Sequence, residues 1–542
     1  MANPDVRLAS ILLASGTVVS RILGFLRAIL LAAAIGLVGS AGANMFGIAN
    51  QLPNTIYAIV AGGVLSAIFV PQIVRASVSA DGGAGYINKL LTACITVLAI
   101  TTLLAVCLTP ALITLYGTKL DNESRQLAIA FGYWCMPQVF FYGLYTVFGE
   151  VLNARKVFGP FTWAPVINNV IAIAGLGVFM VMFGPYPMNG WGASEWTPVM
   201  IAILGGTTTL GVVAQGLILL LFFRRAELRF RWDWNWRGVG LGTAGKLAGW
   251  TFGMLLLTTV AGIVETNVAG IASNSNDASI AALNNAWLVF MLPHSVIAVS
   301  IATAYFTRMS EHASRGDLAQ VRSDLSSAAR GIGMLIALAS IIIVVCSPFI
   351  GAVFMPGNRV GIAAFGAIVV AYVIGLLPFS LLFLVQRAFY TLGDTKTPFF
   401  YTLLQVVLIC AGSIVISQLP AAFIAIAIAL LVTGAGIAQL LVAAVLLRRR
   451  LGGLEAKAVS VSFIRYALAA IPAVLVGLTL TVAVAAASPT SASLGTESRI
   501  GAIVAMAIIA TGMSATYLLS LWALRAPELR QFVADIRSRG RR

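Results

Sequence analysis

The sequence predicts an all-α integral membrane protein with about fourteen transmembrane helices, and three observations lead to this fold class. Of the 542 residues, 60% are hydrophobic and only 10% are charged, whereas roughly a quarter of the residues of soluble proteins are charged. Apolar stretches of about 20 residues, the length that a helix needs to cross the hydrocarbon core, recur along the chain. Lys and Arg are concentrated in alternate loops, as the positive-inside rule requires.

The predicted spans follow one another closely, so that no loop is long enough to hold a soluble domain. Residues 8–36 form a long, continuous apolar stretch without a small-residue cleavage site, and they are therefore predicted to be a first span rather than a removable signal peptide. The spans are predicted at 8–36, 44–74, 90–115, 127–153, 162–184, 198–223, 247–273, 279–307, 331–354, 361–386, 398–416, 421–447, 466–487 and 500–524.

The positive charge of the chain indicates its topology. Of the 34 Lys and Arg residues, Arg21 and Arg27 lie within the first predicted span and four lie in loops of one side. The remaining 28 lie on the side that holds both termini, so both termini are predicted to be cytoplasmic. The net charge of +16 is thus expected to face anionic lipid head groups, and no nucleic-acid partner is predicted.

Cysteine and histidine give no sign of a metal or cofactor site. The five cysteines lie far apart inside apolar stretches, without metal-ligand spacing, and are predicted to be small core residues. Of the two histidines, His294 follows a proline in the eighth span and is predicted to pack between helices. Because no cluster of residues has catalytic spacing, the sequence does not favour an enzyme.

Two pairs of similar segments indicate an internal duplication. Leu-Pro-Asn at 52–54 in the second span resembles Leu-Pro-His at 292–294 in the eighth, 240 positions later, and Pro160 corresponds to Pro398 at a shift of 238. Parallel repeats of this kind form two lobes around a central cavity in transporters. We therefore predict an N-terminal lobe at 1–225 with spans 1–6, a C-terminal lobe at 226–450 with spans 7–12, and spans 13–14 with a basic cytoplasmic tail at 451–542.

Two arginines inside the first span are the strongest candidates for substrate binding. A charge at the bilayer centre costs at least about 2.5 kcal/mol unless it is paired or hydrated, and Arg21 and Arg27 lie too far from the cytoplasmic end of the span to snorkel readily. Their spacing of six places them about 120° apart on a helix, so both can line one wide cavity. Because guanidinium groups suit phosphate oxygens, the pair predicts a phosphate-bearing substrate that is moved rather than transformed.

A few other polar residues lie within the predicted spans. Glu265 of the seventh span, near Asn267, is predicted either to bind a coupling proton or cation, or to be a protonated acid that is hydrogen-bonded between helices. Glu150 is predicted to lie at the membrane interface, near the cytoplasmic end of the fourth span. Asn168 and Asn169 of the fifth span are predicted to form hydrogen bonds between helices.

Several stretches, taken together, resemble the MurJ (MviN) family, the flippases of the peptidoglycan precursor lipid II within the multidrug/oligosaccharidyl-lipid/polysaccharide exporter superfamily. The similarity covers nearly the whole chain, including the number of spans, and its most specific stretch lies at 387–398. The residues of this family motif are Arg387, Tyr390, Gly393, Asp394, Thr397 and Pro398. The other matching stretches are Ser20 to Arg27, Gln51 to Asn54, Val70-Pro71, Leu152-Asn153, and Ala164-Pro165 with Asn169.

The resemblance implies two lobes joined in a V around a central cationic cavity, which would hold the diphosphate and the sugars of the substrate. It also implies a lipid-facing groove at spans 13 and 14 for the polyprenyl tail. Arg21 and Arg27 occupy the positions of functional arginines of the family. Asn44 and Asn54 of the second span are predicted by the same resemblance as further substrate-binding positions.

The chain departs from the family pattern at several charged positions. It has Asn44 where members have an acid, Tyr57 where they have a basic residue, Gly62 where they have a glutamate, and Leu288 in place of another arginine. The eleventh span lacks an acid of the type that a sodium site would use. The cavity is therefore predicted to be less charged than in the family, and the coupling ion, sodium or proton, is left open.

These observations predict a flippase that translocates lipid II from the inner to the outer leaflet of the bacterial cytoplasmic membrane by alternating access. Two alternatives stay open: a flippase for another polyprenyl-linked glycan, and a non-transporting scaffold that recruits cell-wall synthesis or division proteins. The intramembrane arginines count against an exporter of cationic drugs. The expected partners are lipid II or a similar polyprenyl-diphosphate glycolipid, membrane lipids and, on the scaffold hypothesis, cell-wall proteins.

Overall fold

A computed structural model describes residues 4–61, 84–155, 157, 159–187, 190–226, 230–234, 245–275, 277–486 and 496–530. Over these residues the chain is helical and contains no strand, and thirteen of its helices are long and apolar enough to cross a membrane. The remaining predicted span, 44–74, is helical over Ala41–Val60, and its residues 62–74 lie outside the described part. The predicted fold class is thereby confirmed.

The chain forms two compact units, of which the first is Met1–Ala281. Its first two helices are connected by a turn in which Gly36 and Gly39 adopt positive φ angles, and Ser40 then caps the second helix by accepting a hydrogen bond from Ala43 N. The helices of this unit are α1 (Pro4–Ile35), α2 (Ala41–Val60), α3 (Ala84–Cys107), α4 (Thr109–Tyr116), α5 (Asn122–Cys135), α6 (Gln138–Ala154), α7 (Gly159–Phe183), α8 (Pro198–Leu217) and α9 (Gly245–Ser273).

The second unit is Ala282–Arg542, and the helix α10 crosses the boundary between the two. After Pro293, five residues form one π-helical turn, His294–Ala298. His294 is buried and shares a hydrogen bond of 3.0 Å with Ser380, in agreement with the predicted packing role. The helices are α10 (Ile280–Pro293), α11 (Val299–Ser314), α12 (Leu318–Phe354), α13 (Arg359–Val373), α14 (Leu376–Thr391), α15 (Lys396–Ile416), α16 (Ala421–Leu451), α17 (Ala456–Ala486) and α18 (Arg499–Ala523).

Two of the predicted spans are broken in the middle, and the breaks correspond. The fourth span is interrupted at Met136 and Pro137, between α5 and α6, and the tenth at Ile374 and Gly375, between α13 and α14. The two breaks differ by 238 positions, the shift already found between Pro160 and Pro398. This third anchor at one shift supports the predicted duplication. Discontinuous helices often line the binding sites of transporters.

The boundary between the compact units differs from the predicted boundary between the lobes. It falls after Ala281 instead of after residue 225, because α9 packs against α2 and α4 of the first unit. Asn267 of α9 fixes this contact, since its amide donates to Leu115 O at 2.7 Å and accepts from Thr118 N at 2.7 Å. The functional division into lobes at 1–225, 226–450 and 451–542 stays a prediction.

The two C-terminal helices pack on one long helix of the second unit. Both α17 and α18 contact α12 and each other. The hydroxyls of Tyr466 and Tyr517 each donate a hydrogen bond of 3.1 Å to main-chain carbonyls of α12, those of Arg330 and Met334. At the same end, the buried Glu528 accepts from Ser462 at 2.8 Å and lies 3.4 Å from Arg330. Spans 13 and 14 are therefore fastened to span 9.

Candidate substrate-binding site

Arg27 is an intramembrane charge without a counter-ion. It lies on α1, is half-buried, and interacts electrostatically with Tyr142 of α6 and Cys135 of α5. Throughout the described residues, no carboxylate pairs with it and no acceptor takes a hydrogen bond from it. An arginine at this depth needs an anion or water to satisfy its five N–H donors. The environment of Arg27 therefore suits an anionic ligand.

The neighbours of Arg27 are neutral polar groups contributed by α2 and α6. The rings of Tyr57 and Tyr142 lie 5.8 Å apart, measured between centroids, with an angle of 37° between their planes. The hydroxyls of Tyr57 and Thr146 are hydrogen-bonded to each other. Arg27 and these three side chains bring α1, α2 and α6 together at one polar locus of the first unit.

The polar groups of α6 form a stripe along one face of the helix. Gln138, Tyr142, Thr146 and Glu150 follow each other at intervals of four, a spacing that keeps them on neighbouring positions of one helical face. At one end, Gln138 Nε2 donates to Thr209 Oγ1 of α8 at 2.9 Å. At the other end, Glu150 is half-buried and lies within electrostatic range of Tyr57.

Sequence reasoning missed most of this stripe. It singled out charges inside spans, and Gln138, Tyr142 and Thr146 are neutral. The signal that would have found them is their period of four within an apolar span, which predicts a helical face with hydrogen-bonding partners.

The other two predicted substrate contacts near Arg27 have different surroundings. Arg21 is half-buried and lies six residues before Arg27 on α1, about 9 Å closer to the cytoplasmic end of the helix. Asn54 is exposed and has no hydrogen-bond partner within the described part of the chain. Both side chains are accessible, and their contact with substrate stays a prediction.

Asn44 is buried and fully occupied by the protein. Only 1% of its surface is exposed. Its Nδ2 donates to Ser273 Oγ at 2.9 Å, and its Oδ1 accepts from the main-chain nitrogen of Ala281 at 2.9 Å. Asn44 therefore fastens α2 to the end of α9 and the start of α10, and the geometry gives no support to a direct substrate contact.

Glu265 and Asn267 lie close together on α9 but differ in their partners. Asn267 is occupied by its hydrogen bonds with Leu115 and Thr118, and its role is to hold α9 against the outer end of α4. Glu265 is half-buried and forms no hydrogen bond or ion pair within the described residues. The predicted hydrogen-bonded acid between helices is thus not what the structure places here, whereas a site for a proton or cation stays a prediction.

Arg387, the first residue of the family motif, is held between two aromatic rings. Its guanidinium carbon lies 5.2 Å from the ring centroid of Phe306 on α11 and 5.0 Å from that of Phe383 on α14. Tyr390, one turn later, accepts a hydrogen bond of 2.7 Å from Gln386. Because rings bind the faces of a guanidinium group, its in-plane N–H donors stay directed away from them.

The rest of the motif forms the turn between α14 and α15. Gly393 has a φ of +70°, a left-handed conformation that glycine adopts without a Cβ penalty. Asp394 then accepts hydrogen bonds from Thr397 N at 2.9 Å and Thr397 Oγ1 at 2.7 Å, and Pro398 lies buried in the first turn of α15. These four residues have a structural role that fixes the direction in which α15 leaves the turn.

The two asparagines of the fifth span connect helices, as predicted. Asn168 donates to Gln215 Oε1 of α8 at 2.8 Å, and Asn169 donates to the main-chain oxygen of Ser20 on α1 at 3.0 Å. The second bond fastens α1 one residue before Arg21. Leu288, at a position where the family has an arginine, lies in α10, and Gly62 lies outside the described residues.

Comparisons with known proteins bear on the identity of this site. A family model described as lipid II flippase MurJ matches residues 31–522. A probable lipid II flippase MurJ of Borreliella burgdorferi is 22% identical over 410 residues, covering 75% of this chain and 77% of the relative. Another, of Rickettsia prowazekii, is 25% identical over 414 residues, covering 74% of this chain and 76% of the relative.

Solved structures share the fold. A lipid II flippase MurJ in an inward closed conformation superposes with a TM-score of 0.72 at 18% sequence identity, covering 94% of this chain and 99% of the other. An inward-facing multidrug resistance MATE transporter of the MOP superfamily gives a TM-score of 0.62 at 14% identity, covering 80% of this chain and 94% of the other. At these identities the likeness is one of fold.

Proposed function

Because this chain belongs to the MurJ family of lipid II flippases, we propose that it translocates lipid II from the inner to the outer leaflet of the bacterial cytoplasmic membrane by alternating access. The chain is a multi-pass membrane protein of a transporter family. On this proposal both termini face the cytoplasm, as the distribution of Lys and Arg indicates. The head group enters from the cytoplasmic side while the polyprenyl tail stays in the lipid.

The observation that carries the proposal is the unpaired Arg27 inside the first unit. A buried charge without a partner is strongly destabilising, so its presence in a transmembrane helix requires a compensating function. A diphosphate supplies several oxygens that accept hydrogen bonds from a guanidinium group, in a bidentate geometry if the approach is planar. Binding of the substrate diphosphate would therefore satisfy donors that the described chain leaves unsatisfied.

The groups around Arg27 suit the sugars that follow a diphosphate. The hydroxyls of Tyr57, Tyr142 and Thr146 donate and accept hydrogen bonds, and the two tyrosine rings offer flat apolar faces to a pyranose ring. None of the three carries a permanent charge. A site with one strong cation and several neutral hydroxyls holds the head group firmly at the diphosphate and loosely elsewhere, which allows release on the other side.

The energy source is proposed to be a coupled ion or the membrane potential. Glu265 is the candidate for the coupling group, because it is a half-buried acid without a partner among the described residues. A proton or a sodium ion bound there would neutralise the carboxylate and lower the cost of keeping it in the membrane. No cofactor is proposed, and cell-wall synthesis or division proteins are proposed as partners in the membrane.

A flippase for another polyprenyl-linked glycan is the second candidate function. It is favoured by the departures from the family pattern at Asn44, Tyr57 and Leu288, which remove charges that members of the family carry. Such a substrate would share the diphosphate that Arg27 is proposed to bind and would differ in its sugars.

The test is transport by the purified protein in proteoliposomes that contain lipid II in one leaflet. We expect lipid II to become accessible to an enzyme outside the vesicles at a rate well above that of protein-free vesicles. A second preparation containing a polyprenyl-diphosphate glycan without the peptide separates the two candidates. Transport of the glycan alone would favour the second candidate, and transport of neither by a folded protein would contradict both.

A further inference from the structure

Glu150 is a second ionic group on the polar face of α6 that the anion site does not use. It is half-buried, and its carboxylate pairs with no Lys, Arg or His within the described part of the chain. Its recorded electrostatic neighbour is Tyr57, the residue whose hydroxyl bonds to Thr146. Glu150 is therefore connected, through neutral hydroxyl groups, to the same locus as Arg27.

The two charges have opposite signs and a defined separation. Arg27 lies beside Tyr142, and Glu150 follows Tyr142 by eight residues on the same helix. With a rise of about 1.5 Å per residue, eight residues correspond to about 12 Å along α6. At that distance the charges do not form an ion pair, so each is available to a different group of one elongated ligand. The polar face thus has an anion-binding position and, closer to the cytoplasmic end of α6, a cation-binding position.

The chemistry around Glu150 favours an organic ammonium group over a metal ion. In the described residues no three His, Cys, Asp or Glu side chains come together as a metal site, and divalent cations require several oxygen ligands. An ammonium group has three donors on one small cation. It can donate to the Glu150 carboxylate and lie close to the electron-rich face of Tyr57.

We propose that Glu150 and Tyr57 form a subsite for a primary ammonium group on the head of the substrate. This inference rests on the proposed function, because it assumes that one substrate carries both a diphosphate for Arg27 and an amine. The subsite selects substrates by the charge of the amine, and its loss removes the selectivity while the diphosphate contact persists. Glu150 is a specificity-determining residue in this account.

The experiment compares two ligands that differ only in this amine. Purified protein in nanodiscs is titrated with lipid II whose peptide carries a free primary amine, and with the same lipid after acetylation of that amine. The wild type should bind the free amine about tenfold more tightly, as expected for a hydrogen bond between charged groups. Glu150→Gln should bind both ligands equally, with the affinity of the wild type for the acetylated form.

Two further variants fix the interpretation. Glu123→Gln changes an exposed acid at the start of α5 and should retain the full tenfold preference. Arg27→Ala should weaken both ligands by the same factor. Equal binding of the two ligands by the wild type, or a preference that survives in Glu150→Gln, would overturn the subsite and leave the proposed function standing. Failure of the folded wild type to bind either ligand would overturn the proposed function and the subsite with it.

Discussion

The hydroxyl group of Tyr57 on α2 is hydrogen-bonded to that of Thr146 on α6. Members of the MurJ family carry a basic residue at the position of Tyr57, so in this chain a neutral bond between helices replaces a second cation beside Arg27. The consequence is a site whose single unpaired guanidinium group is surrounded by hydroxyls.

The bond between Tyr57 and Thr146 should contribute measurably to stability. Tyr57→Phe and Thr146→Val each remove one of its partners, and each should lower the free energy of unfolding by about 1 kcal/mol. The double variant should cost little more than either single variant, because both delete the same bond. Thermal unfolding in detergent measures these effects, and strictly additive losses would show that the hydroxyls act independently.

Asn44 and Asn54 provide a matched pair on one helix. Asn44→Ala leaves Ser273 and the main-chain nitrogen of Ala281 without their partner and should lower stability by about 1–3 kcal/mol. Asn54→Ala changes an exposed side chain and should leave the unfolding temperature within about 1 °C of the wild type. If Asn44→Ala lost transport at unchanged stability, the predicted substrate contact would replace the structural role assigned here.

Glu265→Gln tests the coupling group. The variant keeps the shape of the side chain but cannot exchange a proton or carry a charge. In proteoliposomes, an imposed proton or sodium gradient should accelerate transport by the wild type severalfold and should leave Glu265→Gln at its basal rate. Glu123→Gln serves as the control and should respond as the wild type does. An equal response of Glu265→Gln and the wild type would locate the coupling elsewhere.

Arg387 should depend on the planar shape of its side chain. Arg387→Lys keeps the charge but loses the flat face that lies between Phe306 and Phe383, and we expect a fall in transport of about three- to tenfold, since each such contact contributes about 0.5–1 kcal/mol. Arg315→Lys, at an exposed pair with Glu311 on the surface, should have no effect. Wild-type transport by Arg387→Lys would mean that charge alone matters at this position.

The fold was predictable from the sequence because the bilayer imposes a simple rule on it. Each span announces itself by about 20 apolar residues, and the loops reveal their side by their charge. The breaks within the fourth and tenth spans were not predicted, because Met136-Pro137 and Ile374-Gly375 lie in continuous apolar stretches. Their positions depend on how the half-helices pack, which periodicity does not record.

The candidate site was predictable in its charges and hidden in its neutral groups. Arg27 stood out because a charge inside a membrane is costly, and the structure places it where no other charge satisfies it. Asn44 was selected by resemblance to a family position, but its partners Ser273 and Ala281 are more than 220 residues away in sequence and reveal a structural tie. Tyr142 and Thr146 carry no signal in isolation, because tyrosine and threonine are common in transmembrane helices.

The most direct test of the central claim uses bacteria whose own lipid II flippase can be switched off while this chain is expressed. The quantity to measure is the fraction of lipid II that is accessible at the outer face of the cytoplasmic membrane. We predict that the wild type restores this fraction, that Arg27→Lys restores it in part, and that Arg27→Ala lowers it at least tenfold at equal membrane levels, the loss expected when charged hydrogen bonds are removed. Full restoration by Arg27→Ala, or none by a well-folded wild type, would contradict the account.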